Sequence, residues 1–124
     1  MAKLTIQHRT IGPVTVIDVI GRLTMGEDSV MLRDSVRGLL GADQKCLLIN
    51  MQEVGYIDSS GLGELVSAFA TAKKQGASLK LVNVTKRARG LLQMTKLLTI
   101  FETFDSEADA VSSFEANTLA TTSP

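Results

Sequence analysis

The sequence has little of the side-chain chemistry on which most enzymes and metal proteins depend. Its 124 residues include one cysteine, one histidine and no tryptophan, and the aromatic residues are four phenylalanines and one tyrosine. A single cysteine excludes an internal disulfide and cannot build a zinc site alone. A single histidine removes most sites that depend on imidazole. We therefore expect no metal, no cofactor and no catalytic residues, and a core built from aliphatic side chains.

An excess of charge of one sign is also missing. Thirteen lysines and arginines balance thirteen aspartates and glutamates. Proteins that bind nucleic acid generally carry surplus positive charge, so we expect no direct nucleic-acid contact. No segment approaches the roughly 18 apolar residues of a membrane span, and the first ten residues lack the apolar run of a secretory signal. We therefore expect a protein of the cytoplasm that does not contact a membrane.

The length and the apolar content fit one folded domain. With 44% hydrophobic and 21% charged residues, the bulk of the chain is not disordered. The last residues are small and polar. We expect a domain over residues 1–116 and a disordered tail over residues 117–124.

The order of apolar patterns predicts the α/β class: a single mixed β-sheet of four to five strands packed with about four helices. The predicted strands contain Leu4 and Ile6, Val14–Ile20, Lys45–Asn50, Leu79–Val84 and, at an edge, Leu98–Phe101. The predicted helices follow Thr24, begin at Ser59 with a stripe of Leu62, Leu65, Val66 and Phe69, run from a cap at Thr85 to about Met94, and cover Ala108–Phe114. Gly76 is the predicted left-handed residue that ends the second helix. We expect Ser59 to be open to solvent, although the flanking Ile57 and Leu62 should be buried. Strands on either side of the second helix should be parallel neighbours.

The first helix carries a predicted start, stripe and end. Thr24 and Glu27 have the spacing of a capping box, in which each side chain reaches the other's backbone amide. The stripe predicted to be buried consists of Val30, Met31, Val36, Leu39 and Leu40. Gly41 is the predicted left-handed residue that ends the helix.

The segment with the most chemical information is Asp58–Gly63, which reads Asp-Ser-Ser-Gly-Leu-Gly. It lies where a strand leads into a helix, and a helix N-terminus offers unpaired amides and a partial positive charge. Such a site tolerates or binds phosphate, but the same residue types also serve as ordinary helix caps. The segment lacks the glycine spacing of a hydrolase elbow, of a dinucleotide fingerprint and of a P-loop.

Seven of the thirteen basic residues lie between positions 73 and 96. They form either a basic face toward an acidic partner or the solvated surfaces of helices. The seven are Lys73, Lys74, Lys80, Lys86, Arg87, Arg89 and Lys96.

The segment from Val54 to Gly63, preceded by the strand Leu47–Asn50, closely resembles the signature of STAS domains, and in particular of the bacterial anti-sigma factor antagonists. The resemblance covers roughly residues 4–114. It implies a binding protein that captures an anti-sigma factor, often a serine kinase, and so frees a sigma factor. It also implies that the kinase phosphorylates Ser59, with Ser60 as the alternative, and that a serine phosphatase removes the phosphate.

The residues that the resemblance assigns to partner binding are Thr24, Asp58, Ser59, Ser60, Gly61, Leu62 and Gly63. At Gly21-Arg22-Leu23-Thr24 the chain departs from the Gly-x-Leu-Asp often found in this family, because Thr24 replaces the carboxylate. Two alternatives stay open. One is a STAS scaffold or regulatory module whose serine is not phosphorylated, and the other is a STAS domain that binds a nucleotide or another small molecule.

Overall fold

The computed structural model describes residues 4–24 and 26–122, apart from the side chains of residues 27, 28 and 115–122. The strands are β1 (Thr5–Ile11), β2 (Val14–Leu23), β3 (Cys46–Ile57), β4 (Ser78–Val82) and β5 (Thr103–Phe104). The helices are α1 (Glu27–Gly41), α2 (Ser59–Lys74), α3 (Lys86–Met94) and α4 (Glu107–Thr122). None of these helices has the length and apolar character that a membrane-spanning segment needs.

The five strands form one mixed sheet in the order β1-β2-β3-β4-β5. β1 pairs antiparallel with β2 through a tight turn at Gly12 and Pro13, and the later pairs are all parallel. The predicted α/β class and the parallel pairing of the strands around α2 are confirmed. Because parallel strands end at the same edge of a sheet, the turns that enter α1, α2 and α3 all lie along one edge.

The two faces of the sheet are covered by different helices. Alternate side chains of a strand point to opposite faces, so Ile17 and Val19 join the core under α1, α2 and α3 while Val14 and Val16 join a smaller core under α4. We call the second face the α4 face. Its core consists of Val14, Val16, Leu48, Val82, Ala110, Val111 and Phe114.

The predicted capping box at the start of α1 is wrong. The helix begins at Glu27 with Gly26 as its N-cap, and no side-chain hydrogen bond caps it. Thr24 lies two positions before the N-cap, outside the place from which a hydroxyl reaches the first amides of a helix. The φ of Gly26 is 97°, a backbone conformation that residues other than glycine rarely adopt.

The buried stripe and the end of α1 also differ from the prediction. Val36 and Leu40 are buried as expected, but Val30 and Met31 are 42% and 40% exposed, and Leu32 is the residue that is fully buried. Gly41 is the last helical residue. The left-handed position falls on Asp43, with a φ of 65°. After the end of α2, by contrast, Gly76 has the predicted left-handed conformation, with a φ of 74°.

The C-terminal part of the chain contains two further differences. Leu98–Phe101 is not a strand but a turn region, and the short edge strand is Thr103–Phe104. Phe101 is buried, and its ring packs edge-on against Phe69, with centroids 5.4 Å apart. The apolar pattern that predicted a strand here therefore includes a residue that packs in the core. α4 continues beyond the predicted end at Phe114.

The extension of α4 to Thr122 covers residues 117–122 of the segment expected to be a disordered tail. No glycine or proline interrupts the chain between Phe114 and Thr122, so no local signal stops the helix there. Residues 123 and 124 lie outside the described residues. The domain boundary at residue 116 stays a prediction.

Candidate functional site

The candidate site lies at the sheet edge where β2 and β3 end and α2 begins. Leu23 pairs with Ile57 at the last register position of the two strands. The next backbone amide, that of Asp58, donates to the carbonyl oxygen of Leu23 at 3.4 Å. This contact brings the end of β2 against the start of α2. We call this region the Ser59 edge: the ends of β2 and β3 with the N-termini of α1, α2 and α3.

Asp58 is the N-cap of α2. Its backbone is extended, and its Oδ1 accepts a hydrogen bond from the amide of Gly61 at 2.8 Å. Its own carbonyl accepts from the amide of Leu62 at 2.9 Å and so starts the helical ladder. An aspartate at this position accepts a hydrogen bond from one of the amides that a helix start leaves unpaired. Its negative charge also interacts favourably with the positive end of the helix dipole.

Ser59 and Ser60 are the first two residues of α2, and both are exposed. Their flanking residues Ile57 and Leu62 are 6% and 2% exposed. The predictions that Ser59 starts this helix and lies open to solvent between buried neighbours are confirmed. The result is a hydroxyl that is accessible to another protein and is held on a rigid element.

The two glycines of the segment have different roles. A Cβ built on Gly61 would lie 2.1 Å from the carbonyl oxygen of Leu23 and 2.9 Å from its carbonyl carbon, so the close approach of β2 and α2 requires glycine. A Cβ on Gly63 would meet nothing within 4 Å, and Gly63 is exposed. The fold therefore explains Gly61, whereas Gly63 presents bare backbone at the surface.

The structure brings all seven predicted partner-binding residues to the Ser59 edge, but it does not expose them equally. Thr24, directly after β2, and Asp58 are half-buried, and Gly61 and Leu62 are buried. The side chain of Leu62 packs in the core beneath α2. The surface that a partner can touch is therefore formed chiefly by the two serines and Gly63, with Thr24 and Asp58 at its margin.

An ion pair fixes α2 against α1. Arg33 donates from Nε and Nη2 to the two carboxylate oxygens of Glu64 at 2.9 and 3.0 Å. The carboxylate raises the pKa of Arg33 above its ordinary value through these hydrogen bonds. Glu64 is 8% exposed, and paired geometry of this kind is the stronger form of a charge-assisted hydrogen bond. The helix that presents Ser59 is thus held in position by a contact that the sequence analysis missed.

A second group that sequence reasoning missed surrounds Tyr56. The guanidinium carbon of Arg22 lies 4.8 Å from the centre of the Tyr56 ring, and that of Arg87 lies 5.6 Å from it. Arg87 belonged to the run of basic residues, Tyr56 to the segment Val54–Gly63 and Arg22 to Gly21-Arg22-Leu23-Thr24, but the sequence analysis did not connect them. The sequence alone does not show the parallel register of β2 and β3, which sets Arg22 opposite Tyr56.

The run of basic residues from 73 to 96 does not form a single face. Lys80 is 3% exposed and lies on the α4 face, where its Nζ donates to Ser113 Oγ at 2.8 Å. Lys73 and Lys74 lie in the last turn of α2, at the opposite end of the helix from Ser59. Within residues 4–24 and 26–122 there is no cluster of His, Cys, Asp or Glu that could hold a metal ion.

Comparison with known proteins agrees with this geometry. A family model described as the STAS domain matches residues 5–110. The anti-sigma-B factor antagonist of Bacillus subtilis is 40% identical to the chain over 86 residues, which cover 69% of this chain and 72% of the relative. The chain belongs to the STAS domain family of anti-sigma factor antagonists. Members of this family are regulatory binding proteins and not enzymes.

Solved structures agree with this fold. An anti-sigma factor antagonist from Mycobacterium paratuberculosis aligns with a TM-score of 0.77 at 19% identity, covering 90% of this STAS domain and 93% of that chain. The Bacillus cell fate determinant SpoIIAA in its phosphorylated form aligns with a TM-score of 0.70 at 17% identity, covering 89% of this STAS domain and 99% of that chain. At these identities the alignments establish the fold.

Proposed function

We propose that this STAS domain uses the Ser59 edge to bind an anti-sigma factor with serine kinase activity, and that phosphorylation of Ser59 switches the binding off. In the unphosphorylated form it holds the anti-sigma factor, so that a sigma factor is released. A serine phosphatase restores the binding form. All of these partners act in the cytoplasm, and no step requires contact with nucleic acid or a membrane.

The observation that supports this proposal most directly is the exposure of Ser59 between buried neighbours on a capped helix. A kinase needs an accessible hydroxyl, and Ser59 is exposed. A partner that reads the result needs the hydroxyl in a fixed position. Asp58, with its hydrogen bond to Gly61, and the buried Leu62 fix the first turn of α2.

The physical chemistry of the switch follows from the position of the phosphate. A phosphoserine carries about −1.5 to −2 charges at neutral pH. At an exposed helix N-terminus this charge costs the fold little, and the helix dipole favours it by about 0.3–1 kcal/mol. In an interface the same charge is desolvated beside the Asp58 carboxylate. A penalty of about 3–4 kcal/mol lowers the affinity by two to three orders of magnitude.

The experiment that tests the proposal is phosphorylation by candidate kinases in vitro. The purified wild-type chain is incubated with labelled ATP and, in turn, with each purified anti-sigma factor kinase encoded in the source genome, and the labelled residue is found by peptide mass spectrometry. We expect label on Ser59. Ser59→Ala should fold, bind the kinase and take no label, while Ser59→Asp should fold with nearly unchanged thermal stability and bind much more weakly by calorimetry.

Ser60→Ala is the matched control, because Ser60 is also exposed and lies one position further along the same helix turn. It should be labelled as the wild type is. Loss of label in Ser60→Ala alone would move the acceptor to Ser60. Binding of a kinase without label on any residue would favour the unphosphorylated scaffold instead, and calorimetric binding of a nucleotide by the chain alone would favour the small-molecule alternative.

A further inference from the structure

Three exposed side chains from three different elements meet at the Ser59 edge. Arg22 lies near the end of β2, Tyr56 near the end of β3, and Arg87 in the first turn of α3. Both guanidinium groups lie within 6 Å of the Tyr56 ring centre, at 4.8 and 5.6 Å. We call these three residues the Arg–Tyr–Arg platform.

The two arginines of the platform have no acidic partner in the described part of the chain. Arg9, Arg33 and Arg89 each have a carboxylate oxygen within 4 Å, whereas Arg22 and Arg87 make neither an ion pair nor a side-chain hydrogen bond there. Each guanidinium offers five donors in a planar fork, and the π-face of Tyr56 satisfies none of them. Lys86, next in the chain to Arg87, is exposed and adds a further positive charge to this edge.

The platform is continuous with the surface that carries Ser59. Tyr56 precedes Asp58 by two residues, and Arg22 precedes Leu23, whose carbonyl accepts the amide of Asp58. The platform and Ser59 therefore belong to the same sheet edge. Tyr56 is 36% exposed, and its ring gives a partner a flat apolar surface between two cations.

We propose that the Arg–Tyr–Arg platform is a docking surface for an acidic segment of the anti-sigma factor. The identity of that partner rests on the function proposed above. Carboxylates of the segment pair with the forks of Arg22 and Arg87, the geometry in which guanidinium groups bind most strongly, and the segment's backbone packs on Tyr56. Buried tyrosine and arginine are the residue types that most often dominate the affinity of protein interfaces.

Charge complementarity is what selects this occupant. A nucleic acid would also supply negative charge, but it needs successive aromatic residues for stacking and a wide positive groove. The platform has one aromatic ring, and the chain as a whole has a net charge of zero.

One test needs no knowledge of the partner. The full chain, labelled with nitrogen-15, is titrated at low ionic strength with hexaglutamate, with hexalysine as the control peptide, and with an oligothymidine strand. We expect hexaglutamate to shift the Nε–H resonances of Arg22 and Arg87 and the amide of Tyr56 before it shifts the Lys73 and Lys74 amides. Equal shifts at all exposed basic residues, or shifts with oligothymidine alone, would overturn the proposal.

The second test uses the kinase that labels Ser59. Arg22→Glu and Arg87→Glu are compared with Lys74→Glu, which makes the same charge change at the far end of α2, about 22 Å from Ser59 at 1.5 Å per residue. We expect each platform variant to lower the affinity for the kinase roughly tenfold or more, an effect that shrinks with added salt. Lys74→Glu should change it less than about twofold.

The two proposals fail in different ways. If the platform variants and Lys74→Glu bind alike while Ser59 is still labelled, the platform proposal is wrong and the switch stands. If no kinase labels Ser59, the switch is wrong, and the hexaglutamate titration alone decides whether the platform binds acidic segments.

Discussion

The basic residues of the α4 face are paired with acidic residues, whereas two arginines of the Ser59 edge are not, in the part of the chain that the structure describes. On the α4 face, Arg9 donates to both carboxylate oxygens of Asp18 at 2.6 and 2.9 Å and to those of Glu107 at 3.1 and 2.8 Å. Lys80 is paired with Glu102 at 3.2 Å and with Ser113. At the Ser59 edge, Arg22 and Arg87 meet only an aromatic ring among the described residues.

This difference separates charged side chains that hold the fold together, by their pairs or by their packing, from charged side chains that are open to a partner. The pairs of the α4 face connect α4 to β1, β2 and β4, which carry Arg9, Asp18 and Lys80. A mutation there should change the free energy of unfolding. A mutation of Arg22 or Arg87 at the Ser59 edge should leave the free energy of unfolding nearly unchanged and change binding instead. Predictions on Lys80, Asp18 and the arginines test this division, and a prediction on two glycines tests the packing of the Ser59 edge; the largest expected effect comes first.

The largest effect is expected from Lys80→Ala. The side chain is 3% exposed, and its Nζ lies 4.6 Å from the centre of the Phe114 ring, so its aliphatic stem fills the space between β4 and α4. Truncation leaves a cavity and removes the hydrogen bond to Ser113. We expect a loss of about 2–4 kcal/mol in the free energy of unfolding, measured by urea denaturation.

Lys80→Met is the control, because it keeps the length of the stem and removes the charge. Replacing a buried charge with a well-packed apolar chain is often close to neutral. We expect Lys80→Met to lose less than half as much stability as Lys80→Ala. Equal losses would mean that the charge, and not the packing, stabilises α4.

The second prediction compares alanine substitutions at the two glycines of the Ser59 edge. Gly61→Ala places a methyl group against the Leu23 carbonyl, where a Cβ would lie only 2.1 Å from the oxygen. Overpacking of this kind costs about 1–3 kcal/mol. Gly63→Ala meets no neighbour, and alanine in place of glycine in a helix stabilises by up to about 1 kcal/mol. Thermal unfolding should therefore shift in opposite directions for the two variants, and a similar shift for both would contradict the close approach of β2 and α2.

Much of this edge was predictable from the sequence, because its signals are local. The stripe of Leu62, Leu65, Val66 and Phe69 depends only on helical periodicity, and Leu65 is fully buried. Thr85 was predicted to cap α3, and its hydroxyl accepts from the amide of Ala88 at 3.2 Å. Residues close together in the chain decide such features.

The features that the sequence did not reveal depend on distant residues. β5 is a strand because Thr103 and Phe104 pair with Leu81 and Val82 of β4, whereas Leu98 and Phe101 of the preceding, more apolar segment pack in the core. The platform likewise exists because parallel pairing sets Arg22 opposite Tyr56, and because the chain returns to bring Arg87 there. A pattern of local residues does not contain these pairings.

The third prediction concerns the acid dependence of stability. Hydrogen bonds from the Arg9 guanidinium and, to a smaller extent, from the side-chain amide of Asn50 hold the pKa of Asp18 below its usual value. In acid the unfolded chain therefore binds a proton at this group before the folded chain does, so stability is lost as pH falls through the folded pKa. Asp18→Asn should cost about 1 kcal/mol at neutral pH, and the difference from wild type should shrink below about pH 4.

Asp34→Asn serves as the control for this pH series, since Asp34 is exposed on α1 and makes no side-chain hydrogen bond within the described residues. The free energy of unfolding of each variant is measured by urea denaturation from pH 7 down to pH 3. A constant difference between Asp18→Asn and wild type across that range would show that the carboxylate charge does not contribute.

The smallest effect is expected when a platform arginine is replaced by glutamine. Arg9→Gln removes a cation with two carboxylate partners and should cost about 1 kcal/mol, since 43% of the Arg9 side chain is exposed and its pairs are partly screened. Arg22→Gln and Arg87→Gln each remove a cation–π contact worth about 0.5 kcal/mol and relieve the repulsion between two like charges over one ring. Their free energies of unfolding should therefore stay within about 0.5 kcal/mol of wild type, measured by urea denaturation at two salt concentrations. A loss at Arg22 or Arg87 that equals the loss at Arg9 would place the platform among the charges that hold the fold together, and the division between the two regions would fail at the residues on which it depends most.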